Sequence, residues 1–374
     1  QVVNRPYQET SSRVSGSEII SSNSKTSYNG NYGLNASWTL YNGNKRLKTI
    51  QQEKLNNQVA ELDVATSENN IQESIAQVYI QILYAAESVK VNESTLQVSI
   101  AQRDRGQELL NAGSIAKSDF AQLEAQVSTD RYQLVTAQAT LEDYKLQLKQ
   151  LLELDGENEM NIYLPALSDE NVLAPLPTKK DVYIRALSLR PEIEASKLNV
   201  EASELGIGIA KSSYLPTISL SAGIGTNHTS GSDFTFGEQV KNGWNNSIGL
   251  SVSVPIFNNR QTKSAVQKAK LQYETSMLSL LDEQKTLYKT IEGLWLDANS
   301  AQQRYAAANE KLKSTQISYE LISEQFNLGM KNTIELLTEK NNLLQAQQEQ
   351  LQAKYMAILN MQLLKFYQGD QLAI

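Results

Sequence analysis

The chain has no cysteine among its 374 residues, so a disulfide framework, a thiolate zinc site and a cysteine nucleophile are all excluded. An oxidising compartment is thereby permitted. Proline and glycine are scarce, 7 and 18, and stretches of about sixty residues rich in Gln, Ala, Leu, Glu, Lys and Asn run without either. Such stretches favour very long helices over compact domains. Positive charge is also short. A net charge of -7 and a pI near 5.1 set aside a nucleic-acid binder, which needs a basic face to neutralise phosphates. No apolar run approaches the ~18 to 20 residues of a spanning helix, so any passage through a membrane has to be made by strands.

What is present is a duplication. Displaced by 216, the chain lies on itself from about residues 29–153 to 245–369 without a gap. Tyr32-Gly33-Leu34 meets Ile248-Gly249-Leu250, Leu40-Tyr41-Asn42 meets Ile256-Phe257-Asn258, and Asn111-Ala112-Gly113 meets Asn327-Leu328-Gly329. Two copies that keep every element length are expected to cross the same layers.

Each copy opens on segments of strict period 2, the pattern of a strand with two unlike faces. Ile248, Leu250, Val252, Val254 and Ile256 alternate with Ser247, Gly249, Ser251 and Ser253; Tyr32, Leu34, Ala36, Trp38 and Leu40 alternate with Asn31, Gly33, Asn35, Ser37 and Thr39. A third strand follows Pro216 with Ile218, Leu220, Ala222 and Ile224 on one face. Their length is close to the ~9 to 11 residues of a tilted transmembrane strand, and the small polar face suits a water-lined interior. A soluble antiparallel sheet is the commoner source of such a pattern. Trp38, Tyr41, Trp244 and Phe257 at strand ends fit aromatic girdles, or ordinary packing. The Gly/Ser/Asn-rich stretches 15–31 and 227–246 read as exposed loops, with 1–14 a strand remnant.

Asn42 and Asn258 then read as N-caps of the longest uninterrupted segments, the first over about 43–111. Ile71, Ile75, Val78, Ile82, Ala85 and Val89 step by 4 and 3, as do Leu287, Ile291, Leu294, Ala298, Ala301, Tyr305, Ala308 and Leu312, so both are coiled-coil helices, roughly 100 Å long. Gly113 and Gly329 supply the reversals. Return helices are predicted over 115–153 and 331–368, and one further helix over 179–213. The proline-broken linker 154–178 reads as a surface elaboration at mid-height.

Chemistry finds little support. His228, the single histidine, lies near Ser230 and Asp233 in a Gly/Ser loop without a scaffold, and solvated loop residues are the better reading than a hydrolytic triad. The GxG of Gly206 and Gly208 lies inside a helix with Lys211 where the dinucleotide fingerprint needs glycine. Metal-ligand clusters are absent from the sequence, and neither an enzyme nor a cofactor is expected. A trimeric coiled-coil stalk or adhesin is the alternative of a different class, disfavoured by the duplicated strands.

The order and spacing of Leu189-Arg190-Pro191-Glu192-Ile193, Tyr214-Leu215-Pro216, Val254-Pro255-Ile256-Phe257-Asn258 and the tip turns at Gly113 and Gly329 resemble the TolC-like outer-membrane efflux proteins over essentially the whole chain. The resemblance implies a mainly α fold with membrane β-strands: a long coiled-coil α-helical barrel, and four strands per protomer in a trimeric twelve-stranded β-barrel. Four strands cannot close a membrane barrel alone, the smallest needing about eight, which independently requires oligomerisation. The implied function is the exit duct of a tripartite efflux or type I secretion system. Its implied partners are a homotrimer of this chain, a periplasmic adaptor and inner-membrane pump, and outer-membrane lipid around Trp38, Leu40, Ile248, Leu250, Val252 and Val254.

The domains read as 1–153, a first repeat lacking its upper helix, then 154–178 and 179–374. The missing part suggests a trimmed segment of a longer precursor, whose signal peptide and any lipid-anchoring cysteine would have gone with it. Gly113, Ser114, Gly329, Met330 and Lys331 are implied as adaptor-docking tips. Glu335, six residues past the second tip glycine, matches an acidic residue that narrows the periplasmic entrance in the family, and Asp119 is its repeat partner. Thr338 and Gln122 stand where a second acidic ring would lie. A carboxylate placed at a helix N-terminus for its dipole accounts for both positions equally well.

Overall fold

The computed structural model describes residues 12–15, 18–21, 28–154, 162–163, 172–230 and 233–372. Contacts divide the chain into two units, Gln1–Asn57 with Leu198–Met277 and Gln58–Lys197 with Leu278–Ile374.

The first unit holds the strands. β1 (Ser12–Ser15) pairs antiparallel with β2 (Glu18–Ser21), while β3 (Asn29–Asn42), β4 (Thr217–Thr229) and β5 (Asn245–Ser253) form a separate antiparallel sheet in the order β3-β4-β5. The expected strand remnant before residue 15 therefore pairs locally, inside what reads as a loop, and residues 1–11 lie outside the described set. Two further expectations change here. Val254, Ile256 and Phe257 fall beyond the end of β5, and the loop after β4 carries a short helix, α5 (Phe236–Asn242). Thr235 caps α5 by accepting from the Glu238 amide while the Glu238 carboxylate accepts from the Thr235 amide at 2.8 Å, the reciprocal pair that makes a seven-residue helix start where it does. It is held to β4 by Thr226 Oγ1 donating to the Val240 carbonyl and by the Thr229 amide donating to Gln239 Oε1.

Both long helices have 67 residues, α1 (Lys45–Asn111) and α6 (Gln261–Asn327), and both return helices have 35, α2 (Lys117–Leu151) and α7 (Thr333–Tyr367). All four bounds repeat at a displacement of 216, so the duplication governs element length residue by residue. Asn42 and Asn258 lie three residues ahead of their helices instead of capping them directly. Two left-handed residues intervene in each copy, Gly43-Asn44 and Asn259-Arg260. Asn42 Oδ1 still accepts from the Arg46 amide at 3.2 Å.

The predicted helix over 179–213 is two, α3 (Lys179–Leu189) and α4 (Pro191–Ser212). Pro191 forces the break: its ring bars a helical conformation at the preceding residue, and Arg190 takes φ -74°, ψ 124°. Proline is then tolerated as the first residue of α4, where no amide is needed.

In the second unit the predicted 4-3 stripes are largely the core. Ile82, Ile291, Ala298 and Tyr305 are all but fully buried, whereas Ile71 at the upper end of its stripe is exposed. One cluster gathers Ile80 and Leu83 of α1 with Tyr305 of α6 and Ile358 of α7; a second gathers Val182 of α3 and Ile193 of α4 with Leu287, Ile291 and Leu364. Each such side chain stabilises by about 1.5–3 kcal/mol when fully removed from water. The linker is more than a surface elaboration. Val172 is buried in the first cluster, Gln302 Nε2 donates to the carbonyls of Val172 and Ala174, and Trp295 Nε1 donates to the Pro177 carbonyl. Residues 155–161 and 164–171 lie outside the described set.

Candidate functional site

The sheet has two chemically opposite faces. Cross-strand register sets Trp38 beside Leu220 and Leu250, Ala36 beside Ala222 and Ile248, and Ile218 beside Val252, so one face is a continuous apolar surface. It lies bare, with Leu34, Trp38, Ile248, Leu250 and Val252 all more than half exposed. The register on β3 shifts between Thr39 and Tyr41, which leaves Leu40 as the extra residue of a bulge and brings Tyr41 opposite Ile218. The opposite face carries Ser37 beside Ser221 and Gly249, and Thr39 beside Ser219 and Ser251. Its hydroxyls turn back on the backbone, Ser221 Oγ donating to the Gly249 carbonyl at 3.2 Å. No Asp, Glu, Lys or Arg occurs in β3, β4 or β5.

Of the proposed loop triad nothing is assembled. His228 stacks edge-on against Phe236 with ring centroids 5.0 Å apart, and Ser230 Oγ accepts from the Tyr28 amide at 2.5 Å. Gly206 and Gly208 serve close packing inside the first unit, where Lys48 Nζ donates to the Gly208 carbonyl at 3.3 Å.

The two helix tips are built alike. Gly113 and Gly329 have φ of 73° and 76°, and in each the glycine amide bonds three residues back and the following amide five residues back: Gly113 to Leu110, Ser114 to Leu109, Gly329 to Phe326, Met330 to Gln325. That pair of bonds satisfies the last carbonyls of α1 and α6 and requires a left-handed residue, hence glycine. Gly113, Ser114, Gly329 and Met330 are exposed and Lys331 is half-buried. Past the turn, Asp119 and Glu335 occupy the third position of α2 and α7. Glu335 accepts from the Asn332 amide at 3.2 Å while Asn332 Oδ1 accepts from the Glu335 amide at 2.9 Å, and Lys331 Nζ donates to Glu335 at 2.7 Å. Lys331 first, then the Asn332 amide, holds the Glu335 carboxyl below the usual carboxylate range. In the first copy Ala116 stands at the cap with no acceptor of its own, and only the Asp119 half of the exchange exists, at 3.4 Å.

The family described as outer membrane efflux protein matches residues 6–153 and 182–369 of this chain, both repeats and all four tip helices. The chain belongs to the outer membrane efflux protein family. Among curated relatives, the outer membrane efflux protein BepC of Brucella suis is 24% identical over 290 residues, 77% of this chain and 60% of that protein. The outer membrane protein TolC of Escherichia coli is 23% identical over 311 residues, 81% of this chain and 62% of that protein. The chain thus spans about three-fifths of the length of these relatives. Among solved structures, CusC superposes with a TM-score of 0.79 at 20% identity, over 99% of this chain and 84% of that one, and shows the fold to be that of these channels.

Two buried polar clusters of this efflux-family chain escaped the sequence reading. Arg190, from the motif that marked the resemblance, is buried and reaches Glu192 at 2.8 Å and Glu73 of α1 at 3.2 Å, with its guanidinium 4.3 Å from the Tyr367 ring centre. Burial, opposed by Arg190, raises the Glu73 carboxyl, and burial followed by the Glu73 charge pushes Tyr367 up to about 12. In the second cluster Lys340 of α7 donates to both Asp130 of α2 and Ser99 of α1, Ser99 donates to Asp130, and Gln126 Nε2 donates to Asp130 at 2.9 Å. Lys340, Asp130 and Ser99 are 3%, 1% and 2% exposed. Burial lowers the Lys340 ammonium, against the pull of Asp130. A lysine eleven residues past a turn carries no sequence mark of burial, because α1 and α2, both distant in sequence, cover it.

Proposed function

We propose that this chain is a subunit of a passive conduit through the bacterial outer membrane, working as a homotrimer with a periplasmic adaptor and an inner-membrane pump, and performing no chemistry. The observation that carries the reading is the β3-β4-β5 sheet: free of formal charge, bare and apolar on one face, hydroxyl- and amide-lined on the other. An exposed apolar face of this extent calls for a hydrophobic surround, and three strands leave two unpaired edges that only further strands can satisfy. Trp38, Ile248, Leu250, Val252 and, at the bulge, Leu40 would meet lipid, with Val254 at the margin. The relatives support the location, since BepC and TolC are described as outer membrane proteins.

At the other end of the helices, the tips around Gly113-Ser114 and Gly329-Met330-Lys331 would dock the adaptor, and Asp119 and Glu335 would ring the entrance. Glu335 does double duty in this reading, because its capping bonds hold it in place whether or not it lines an aperture. Planar-bilayer recording tests the proposal. The full-length protein should conduct, and Glu335→Lys should shift its selectivity away from cations. Absence of conductance would remove the conduit, and an unaltered selectivity would leave Glu335 a helix cap only.

A further inference from the structure

The apolar face of the sheet changes character at the end opposite the helix starts. Aliphatic residues and Trp38 fill it as far as Leu34 beside Ile224; the next rows on the same face are Tyr32 beside Thr226 and Gly30 beside His228. Gly30 leaves its place to the Tyr32 ring, since a Cβ there would lie 2.9 Å from Tyr32 Oη.

α5 packs over these rows, on this face. Phe236 meets Tyr32 and His228 edge-on, with ring centroids 6.2 and 5.0 Å apart, and Thr226 Oγ1 donates to the Val240 carbonyl at 2.8 Å. Around α5 the remaining rings point outward, and Phe234, Phe236 and Trp244 are 60%, 55% and 55% exposed. Charge begins at the same level. Between Thr217 and Asn259 the only Asp, Glu, Lys or Arg residues are Asp233, Glu238 and Lys241, and all three are exposed.

A lid that served only to cover apolar surface in water would lie over the aliphatic rows and turn its rings inward. α5 covers the two least apolar rows, leaves Leu34, Ile248 and Leu250 bare, and shows aromatic rings beside charges. That combination suits the boundary between lipid headgroups and acyl chains, where amphipathic rings settle and charges stay hydrated. The height agrees. Ser253, the last residue of β5, pairs with Thr217, and Thr226 stands nine residues further along β4. Nine residues are about 30 Å of strand and, at a lean of about 40°, about 23 Å of depth, close to the ~25 Å apolar band of a membrane barrel. We propose that α5 is an interfacial anchor: Phe234, Phe236 and Trp244 lie at the headgroup–acyl boundary of the outward-facing leaflet, braced by Tyr32 and His228, and fix the depth at which the strands sit.

The anchor rests on the conduit reading, and one experiment separates the two. The chain has three tryptophans, Trp38, Trp244 and Trp295. Three variants of the full-length protein each keep one of them, the other two changed to Phe; a fourth carries Phe236→Trp with all three changed to Phe. Each is reconstituted in phosphatidylcholine vesicles whose acyl chains are brominated either near the glycerol or near their ends, and tryptophan fluorescence is read. Trp38 should be quenched, and Trp295 of α6 should stay bright in both lipids. Bromine near the glycerol should quench Trp244 and Phe236→Trp about twofold more strongly than bromine near the chain ends. If Trp38 is quenched while Trp244 or Phe236→Trp stays bright in both lipids, α5 stands in water, which overturns the anchor and leaves the conduit standing. Stronger quenching of Trp244 by bromine near the chain ends also overturns the boundary placement. No quenching of Trp38, or equal quenching at every site including Trp295, overturns both.

Discussion

Single residues here act through what surrounds them, and the clearest case is Asp130. Among the described residues it holds the one formal negative charge paired with the buried Lys340, and it also accepts from Ser99 and Gln126. Removing it strands an ammonium in the helix packing, so Asp130→Ala should cost about 3–5 kcal/mol. Lys340→Met should cost less, because Asp130 keeps the Ser99 and Gln126 donors. Asp130→Leu with Lys340→Met should recover much of the loss, since an apolar replacement of a whole buried pair is often neutral. Thermal unfolding of the three variants checks the order; equal losses in both single variants would show that the pair is not the unit of stability. Gly106 shows another local dependence. A Cβ there would lie 2.3 Å from Leu123 Cδ1, so that glycine lets α1 and α2 approach closely. In the second copy the positions are Ile322 and Glu339, and the carboxylate of Glu339 accepts from Ser318 at 3.0 Å instead.

Among elements, the tips are where duplication and divergence meet. Both turns share the glycine and its two carbonyl bonds, but only the second has a side-chain cap, Asn332, with Glu335 answering it. The Glu335 carboxyl lies below its ordinary value of 4.5, chiefly through Lys331. A depressed folded value means the stabilisation is complete above about the ordinary value and is lost as pH falls through the folded one. The protection of the amides at the start of α7, taken relative to their unprotected exchange rate at each pH, should therefore fall below pH 4.5. Glu335→Gln should be fast already at neutral pH and lose that dependence. The start of α2, where Ala116 replaces the capping asparagine, serves as the internal reference and should exchange faster than α7 at neutral pH. The reverse order would remove the cap as the cause.

For the whole molecule the prediction is one of sidedness. If the apolar sheet face meets lipid, the α5 loop lies outside the cell and the tip at Ser114 in the periplasm, since roughly 100 Å of helix follows each strand. Gly237 has open space around it, whereas Ser230 holds the Tyr28 amide, so Gly237→Cys is the better outside probe. In intact cells an impermeant thiol reagent should label Gly237→Cys and spare Ser114→Cys. Equal labelling would overturn the arrangement.

Local pattern alone determined a great deal: the period-2 strands, the 67-residue helices and both reversals were legible, because repetition at 216 residues doubles every signal and glycine at a left-handed turn has few substitutes. The break at Arg190 is written in Pro191, whose ring restricts the residue before it. What only the tertiary structure decided depends on neighbours distant in sequence. The bulge at Leu40 is set by register against β4, and the linker's burial by Gln302 and Trp295 reaching it from α6. The charges of Arg190 and Lys340 look like surface charges in one dimension. Their burial follows from helices more than a hundred residues away closing over them, and no window along the chain contains that information.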